Sequence, residues 1–286
     1  VEENLAKPIL LGNKDKIEQL ANEHSLDIVD VQIVDPTHDT QSAERYARLL
    51  FEKRQRKGIT YTDALKKMRD RNYFGAAMLE LGEADAFISG STKKYTEVLE
   101  PLFEVVGADP GVSRVAGMYI MLSKRGPMFF ADTTINEDPT AEELVEITVQ
   151  VSRLIKRINI RPKVALLSYS NFGSSRKKEA TKMQKAVQIL RAEHPDLIVD
   201  GEMQANFALN NELLKETFPF SDLVKNRPNT FIFPNLAAGN IAYKMLQSFE
   251  AAEALGPILV GINKPAHVLQ MGSSLREIVN MLTLAS

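Results

Sequence analysis

Gly256-Pro-Ile-Leu-Val-Gly-Ile-Asn-Lys-Pro-Ala-His-Val-Leu-Gln-Met-Gly-Ser-Ser-Leu-Arg-Glu-Ile-Val-Asn-Met281 is the stretch whose reading decides the fold class. Ile258 to Ile262 is short and apolar, the pattern of a buried strand. Lys264-Pro265 and Gly272 bound a tight loop, and from Ser274 onward the sequence predicts an amphipathic helix. A strand that delivers a Gly-containing loop onto a helix N-terminus is where α/β proteins place anion-binding and catalytic groups.

The rest of the chain repeats that grammar. Lys7 to Gly12 and Ile28 to Val34 predict strands, with a helix over Lys14 to Glu23 between them. Helices are expected over Ser42 to Arg56, from Thr60 towards Arg71, and over Phe74 to Leu81, before a strand at Asp85 to Ser89. The pattern then changes. Asp109-Pro-Gly-Val-Ser113 is a turn signal, and Val115 to Leu122 and Met128 to Asp132 predict paired strands. Thr140-Ala-Glu-Glu143 is a capping box ahead of a helix with clean 3.6-residue periodicity through Ile158. Strands are expected at Lys163 to Ser168, Leu197 to Gly201 and Phe231 to Pro234, with helices running to Glu193 and over Gly239 to Phe249. Alternating strands and helices predict mainly parallel, helix-covered sheets. The shift near residue 108 places a domain boundary there.

Composition narrows the function classes. The chain has 286 residues, 44% hydrophobic and 25% charged, with a net charge of −2. That leaves room for two cores and gives no electrostatic case for nucleic acid or an anionic membrane. There is no cysteine, so disulfides and Cys-ligated metals are excluded. His24, His38, His194 and His267 show no metal-ligand spacing and are expected on the surface or in loops. No run of roughly 18 apolar residues occurs, which predicts a cytoplasmic protein. Val1-Glu-Glu-Asn-Leu-Ala6 resembles the tail of a helix entered from upstream, and the last residues stop inside a helical pattern, so the chain is expected to be a fragment of a larger protein.

Three Gly-bearing polar loops follow strands: Ser168 to Ser175, Asn235 to Asn240, and Asn263 to Ser274. Together they are expected to form a ligand pocket. Ser168, Ser170, Ser174, Ser175, Asn235, Asn240, Lys264 and Gly272 are the candidate binding residues there, with Ser174, Ser175 and Asn240 predicted at helix N-termini. No G-x-G-x-x-G, Walker A or G-x-S-x-G motif is present. Glu83 with Asp85, and Asp200 with Glu202, flank strand ends and are expected to be loop and cap residues rather than acid/base pairs.

Longer motifs carry a resemblance. Gly82-Glu-Ala-Asp-Ala-Phe-Ile-Ser-Gly90, Pro110-Gly-Val-Ser-Arg-Val-Ala-Gly117, Phe130-Ala-Asp-Thr-Thr-Ile-Asn-Glu-Asp-Pro-Thr-Ala-Glu-Glu-Leu144, Pro195-Asp-Leu-Ile-Val-Asp-Gly-Glu-Met-Gln-Ala205, Phe231-Ile-Phe-Pro-Asn-Leu-Ala-Ala-Gly-Asn-Ile-Ala-Tyr-Lys244 and Gly256-Pro-Ile-Leu-Val-Gly-Ile-Asn-Lys-Pro265 resemble, in order, the phosphate acetyltransferase and butyryltransferase family. The resemblance implies two three-layer α/β domains with mainly parallel sheets, the second inserted into the first. Residues 1–108 plus 256–286 would form domain I and 109–255 domain II, with an acyl-CoA site in the cleft between them and a homodimeric assembly.

The family's reactive positions are changed. After the Lys-Pro its members resemble P-V-N-D-L-S-R-G, where Gln270 here replaces the Ser and Met271 the Arg. Glu277 stands where Asp is usual, Glu100 replaces the Arg before the Pro of R-P-A-L-Q, and Asn235 replaces the acid of F-P-D-L. Arg54, in Lys53-Arg-Gln-Arg-Lys-Gly58, still matches a basic position. Acyl transfer between phosphate and a thiol needs cations on the phosphate and help in forming the thiolate, and each lost charge contact costs on the order of 3 kcal/mol in the transition state. No catalytic residue and no metal site is therefore expected within this chain.

Val268 to Met281 resembles the phosphotransacetylase-like C-terminal domain of hybrid bacterial NADP-dependent malic enzymes. That resemblance implies a regulatory domain sensing acetyl-CoA, with NADP, a divalent metal and malate decarboxylation assigned to domains upstream. The alternatives are an active phosphate acetyltransferase or butyryltransferase and a stand-alone CoA-sensing or scaffold protein.

Overall fold

The computed structural model describes residues 5–285. It divides into two compact units, one formed by the residues up to Asp109 and from Ile262 on, the other by Pro110–Gly261. The helix-tail reading of Val1 to Ala6 falls mostly outside the described residues; Leu5 and Ala6 are not helical.

The first unit opens with β1 (Ile9–Leu11), α1 (Lys14–Glu23) and β2 (Gln32–Val34). The two strands pair in parallel, with α1 as the crossover. Then come α2 (Thr40–Arg54), α3 (Tyr61–Lys67), α4 (Arg71–Glu80) and β3 (Phe87–Ser89), followed by α5 (Tyr95–Pro101) and a π-helical turn at Leu102–Val106. Thr60 and Asp63 form a capping box on α3, and Asp70 caps α4. All residues of α4 from Asn72 to Leu79 are buried, which its nearly unbroken Tyr-Phe-Gly-Ala-Ala-Met-Leu run permits.

The second unit contains β4 (Ala116–Ser123), β5 (Gly126–Ala131), α6 (Ala141–Arg157), β6 (Lys163–Leu167), α7 (Lys178–Glu193), β7 (Ile198–Met203), α8 (Ala205–Leu209), α9 (Asn211–Thr217), β8 (Thr230–Ile232), α10 (Leu236–Ser248) and β9 (Glu253–Val260). The strands lie in the order β9-β4-β5-β8-β6-β7. The pairs β5–β8, β8–β6 and β6–β7 are parallel. The hairpin strand β4 runs antiparallel to both β5 and β9. One core cluster includes Tyr119, Phe130, Phe231, Phe233 and Tyr243, with the Tyr119 and Tyr243 rings stacked at 4.1 Å between centroids. The chain then returns to the first unit as β10 (Ala266–Val268) and α11 (Leu275–Ala285), β10 pairing in parallel with β3.

Several expectations are corrected. β9 begins at Glu253 and pairs along β4 from Ala116 to Leu122, so the chain leaves the second unit after Gly261 rather than at residue 256. The segment from Lys264 to Gly272 is not all loop, because β10 lies within it. The short helices α5, α8 and α9 are not among the elements expected, and Pro101 closes α5 where a proline argues against a helix. Among the described residues, no helix is long and apolar enough to cross a membrane.

Candidate functional site

In the first unit, β3 and β10 end side by side, and the loops that follow them are tied together. The Leu269 amide donates to the Ser89 carbonyl (2.7 Å) and the Gly272 amide to the Ser91 carbonyl (3.1 Å). Gly272 takes φ +81°, a left-handed turn that favours glycine. Met271 is 67% exposed, an apolar thioether in the position where the family resemblance implies an arginine. Ser273 donates its hydroxyl to the Gln270 carbonyl. Ser274 and Glu277 form a capping box at the start of α11, the Ser274 amide donating to Glu277 Oε2 at 2.7 Å and the Glu277 amide to Ser274 Oγ at 3.2 Å. Glu277 is thereby a capping acid.

The same end of β3 holds groups that sequence reading missed. Ser89 Oγ donates to Asn72 Oδ1 at 2.7 Å. Asn72 is 2% exposed, and its Nδ2 has no acceptor among the described residues. Lys93 reaches back to Asp70, the cap of α4, at 2.5 Å. His267, on β10, is buried with Nδ1 unpartnered among the described residues, which corrects its expected surface position. Burial pushes its pKa down to about 4.

Arg54 does not present a free cation. Its guanidinium bonds Glu104 Oε1 at 3.1 Å, while Tyr73 Oη (2.7 Å) and Lys67 Nζ (3.3 Å) serve Glu104 Oε2. Burial opposes ionisation of Glu104, but the Tyr73 hydrogen bond and the Lys67 and Arg54 cations outweigh it and hold its carboxyl below the ordinary range. Glu100, largely exposed, lies 3.3 Å from Lys67 and 3.1 Å from the Tyr73 hydroxyl, whose single proton is on the shorter bond to Glu104.

In the second unit the carboxyl ends of β5, β8, β6 and β7 form one sheet edge. Ser168 to Ser175 leaves β6 there and folds back on itself. Ser170 is buried; its hydroxyl donates to Glu202 Oε1 (2.8 Å), lies 2.9 Å from Ser174 Oγ and accepts the Ser175 amide (3.0 Å). Ser168 Oγ accepts the Ser170 amide. Ser175 Oγ is 3.1 Å from the Tyr169 hydroxyl. α7 begins at Lys178, so Ser174 and Ser175 are loop organisers rather than helix-terminal residues. Glu202 and Asp200 are buried in β7, which corrects their reading as loop and cap acids. Asp200 is held by Arg191 (2.8 Å) and the Ser221 hydroxyl (2.7 Å). Glu202 accepts from Ser170, the Gly173 amide and Gln184, all at Oε1.

Asn235 caps α10, accepting from the Ala238 amide at 3.0 Å. α10 starts at Leu236, so Asn240 lies within the helix and not at its N-terminus; its Nδ2 donates to the Thr133 carbonyl at 3.1 Å. Asp132 organises the neighbouring loop by accepting from the amides of Gly117, Thr134, Ile135 and Asn136. Of the three predicted loops, those at 168–175 and 235–240 share this edge, while 263–274 belongs to the other unit. No group of three or more His, Asp or Glu residues able to hold a metal occurs among the described residues.

A mostly parallel sheet with loops collected at strand carboxyl ends, over this sequence, defines a class: the chain belongs to the Phosphate acetyl/butaryl transferase family, which it matches over residues 1–286. Within that family it is similar to two kinds of protein. It is 35% identical to the phosphate acetyltransferase of Clostridium acetobutylicum over 99% of this chain and 87% of that one. It is 40% identical to the NADP-dependent malic enzyme of Salmonella typhimurium over 98% of this chain but 37% of the enzyme's length. The solved phosphotransacetylase of Streptococcus pyogenes superposes with a TM-score of 0.88 at 35% identity, covering 99% of this chain and 87% of that one.

Proposed function

We propose that this chain is an acyl-CoA-binding regulatory domain that does not transfer acyl groups, the C-terminal part of an NADP-dependent malic enzyme. The observation that carries the reading is the loop after β10, where Gln270 and exposed Met271 offer neither a base nor a cation. A neutral amide does not deprotonate a thiol, and a thioether does not neutralise a phosphate. The 40% identity to a malic enzyme of which this chain spans 37% supports the parent assignment. In the parent, NADP, a divalent metal and the decarboxylation of malate to pyruvate belong to other domains. Binding of acetyl-CoA here, in a homodimer in the cytoplasm, biases the active state of the whole.

What remains suits a CoA nucleotide better than an acyl phosphate. Arg176 and Lys177, exposed just ahead of α7, have no acidic partner among the described residues and are available to phosphate groups. The Asn72 amide lies at the carboxyl end of β3, while Lys264 precedes β10 at the opposite end of that strand pair.

The second reading, an active phosphate acetyltransferase, is favoured by the match to 87% of the clostridial enzyme. Two measurements separate them. Calorimetry with acetyl-CoA is expected to give saturable heat. An assay of acetyl phosphate plus CoA is expected to give turnover at least about a thousandfold below an active family member, from two lost charge contacts. Turnover within about tenfold of an active enzyme sinks the regulatory reading; absence of heat sinks acyl-CoA binding.

A further inference from the structure

We infer that Glu104 is an internal anion: its carboxylate fills a cradle that Arg54, Lys67 and Tyr73 form for a small phosphate-like dianion, and so excludes phosphate and phosphate esters from this face of the first unit. Four elements converge on it. Arg54 closes α2, Lys67 closes α3, Tyr73 lies in the first turn of α4, and the π-helical turn presents Glu104. Guanidinium, ammonium and phenol donors around one point are the set that recognises tetrahedral oxyanions. Burial and the adjacent Glu104 push the Tyr73 phenol well above its ordinary range, so it remains a donor.

A carboxylate is an incomplete occupant. Glu104 Oε1 takes Arg54 Nη2, and Oε2 takes Tyr73 and Lys67. Arg54 Nε is buried without an acceptor among the described residues. A buried donor left unpaired is costly. A two-oxygen anion leaves that donor unserved, whereas a tetrahedral anion carries further oxygens. Two cations against one partly buried carboxylate also suit a dianion, while the exposed Glu100 beside Lys67 and Tyr73 lowers the local potential and opposes one.

The plainer account is an ion-pair staple holding the π-turn against α2, α3 and α4. It predicts that removing Glu104 destabilises the unit and that phosphate does nothing for it. The inference does not depend on acyl-CoA recognition, since the heat of acetyl-CoA binding and the response below can fail independently.

The test uses the full chain, with inorganic phosphate as probe against sodium chloride at matched ionic strength. Thermal melting and calorimetry are followed for the wild type, Glu104→Ala, Glu104→Gln, and Glu104→Gln combined with Glu100→Gln. We expect no saturable response in the wild type. In both single variants phosphate raises the melting temperature saturably. In the double variant it binds about tenfold more tightly, the effect of deleting a second nearby carboxylate. Adding Arg54→Ala to Glu104→Ala abolishes the response. If the single variants are too unstable to fold in chloride, phosphate-dependent recovery of folded protein supports the inference and its absence overturns it. Folded variants indifferent to phosphate, or a wild type that binds phosphate as tightly as they do, also overturn it.

Discussion

An imidazole inside β10 has no water to stabilise its charge, and for His267 the consequence is a pH dependence whose sign is fixed. The folded-state pKa is depressed to about 4 by burial, against about 6.5 in the unfolded chain. Between those values the unfolded state binds a proton that the folded state refuses. Stability is therefore unaffected by His267 above about pH 6.5 and falls as pH drops from there towards 4, by about 2 kcal/mol at pH 5. His267→Asn is expected to lose correspondingly less stability than the wild type between about pH 7.5 and pH 5, read from urea unfolding curves. Equal losses in the two proteins contradict this. Residue identities also show what sequence could not convey at this scale. Arg54 and Glu104 stand 50 positions apart, so nothing local announced that one would neutralise the other. Ser170 and Glu202 pair for the same tertiary reason.

Elements are fixed by caps and by close approach. The capping box at Thr140 and the periodicity of α6 were legible because capping and amphipathicity are local physics; Thr140 and Glu143 exchange both bonds as the spacing requires. The approach of α10 to the β5 loop was not legible. A Cβ on Gly239 would land on the Asp132 carbonyl oxygen, a backbone atom held by the bonds that its own side chain makes to the loop. A Cβ on Gly75 of α4 would meet the side chains of Phe87 and Leu11, which can rotate aside. Gly→Ala in a helix otherwise gains up to about 1 kcal/mol. Gly239→Ala is accordingly expected to cost about 3 kcal/mol and Gly75→Ala about 1 kcal/mol in chemical denaturation, overpacking being worse against rigid backbone. The reverse order would show that the β5 loop yields more easily than the Phe87 ring.

At the scale of the whole molecule, the two units differ in how the chain supplies them. Pro110–Gly261 is continuous and carries a six-stranded sheet with its own aromatic core. The first unit is discontinuous: β3 pairs with β10, which arrives only after the second unit is complete. Residues 110–261 expressed alone are expected to melt cooperatively by circular dichroism, and residues 1–109 alone are not. A cooperative melt of 1–109 would show that β10 and α11 are dispensable to that core. Sequence by itself determined the α/β class, a boundary near residue 108 and, through its ordered motifs, the family, because strand and helix periods, turn residues and motifs are written locally along the chain; the insertion of one unit into the other was implied by the family resemblance alone. The tertiary structure alone decided that β9 stays with the inserted unit, that Ser170 is held by Glu202, and that the Arg54 cation is already spent on Glu104. Each of those outcomes depends on which distant side chain arrives within hydrogen-bonding reach, and that is settled by packing, to which no local pattern is sensitive.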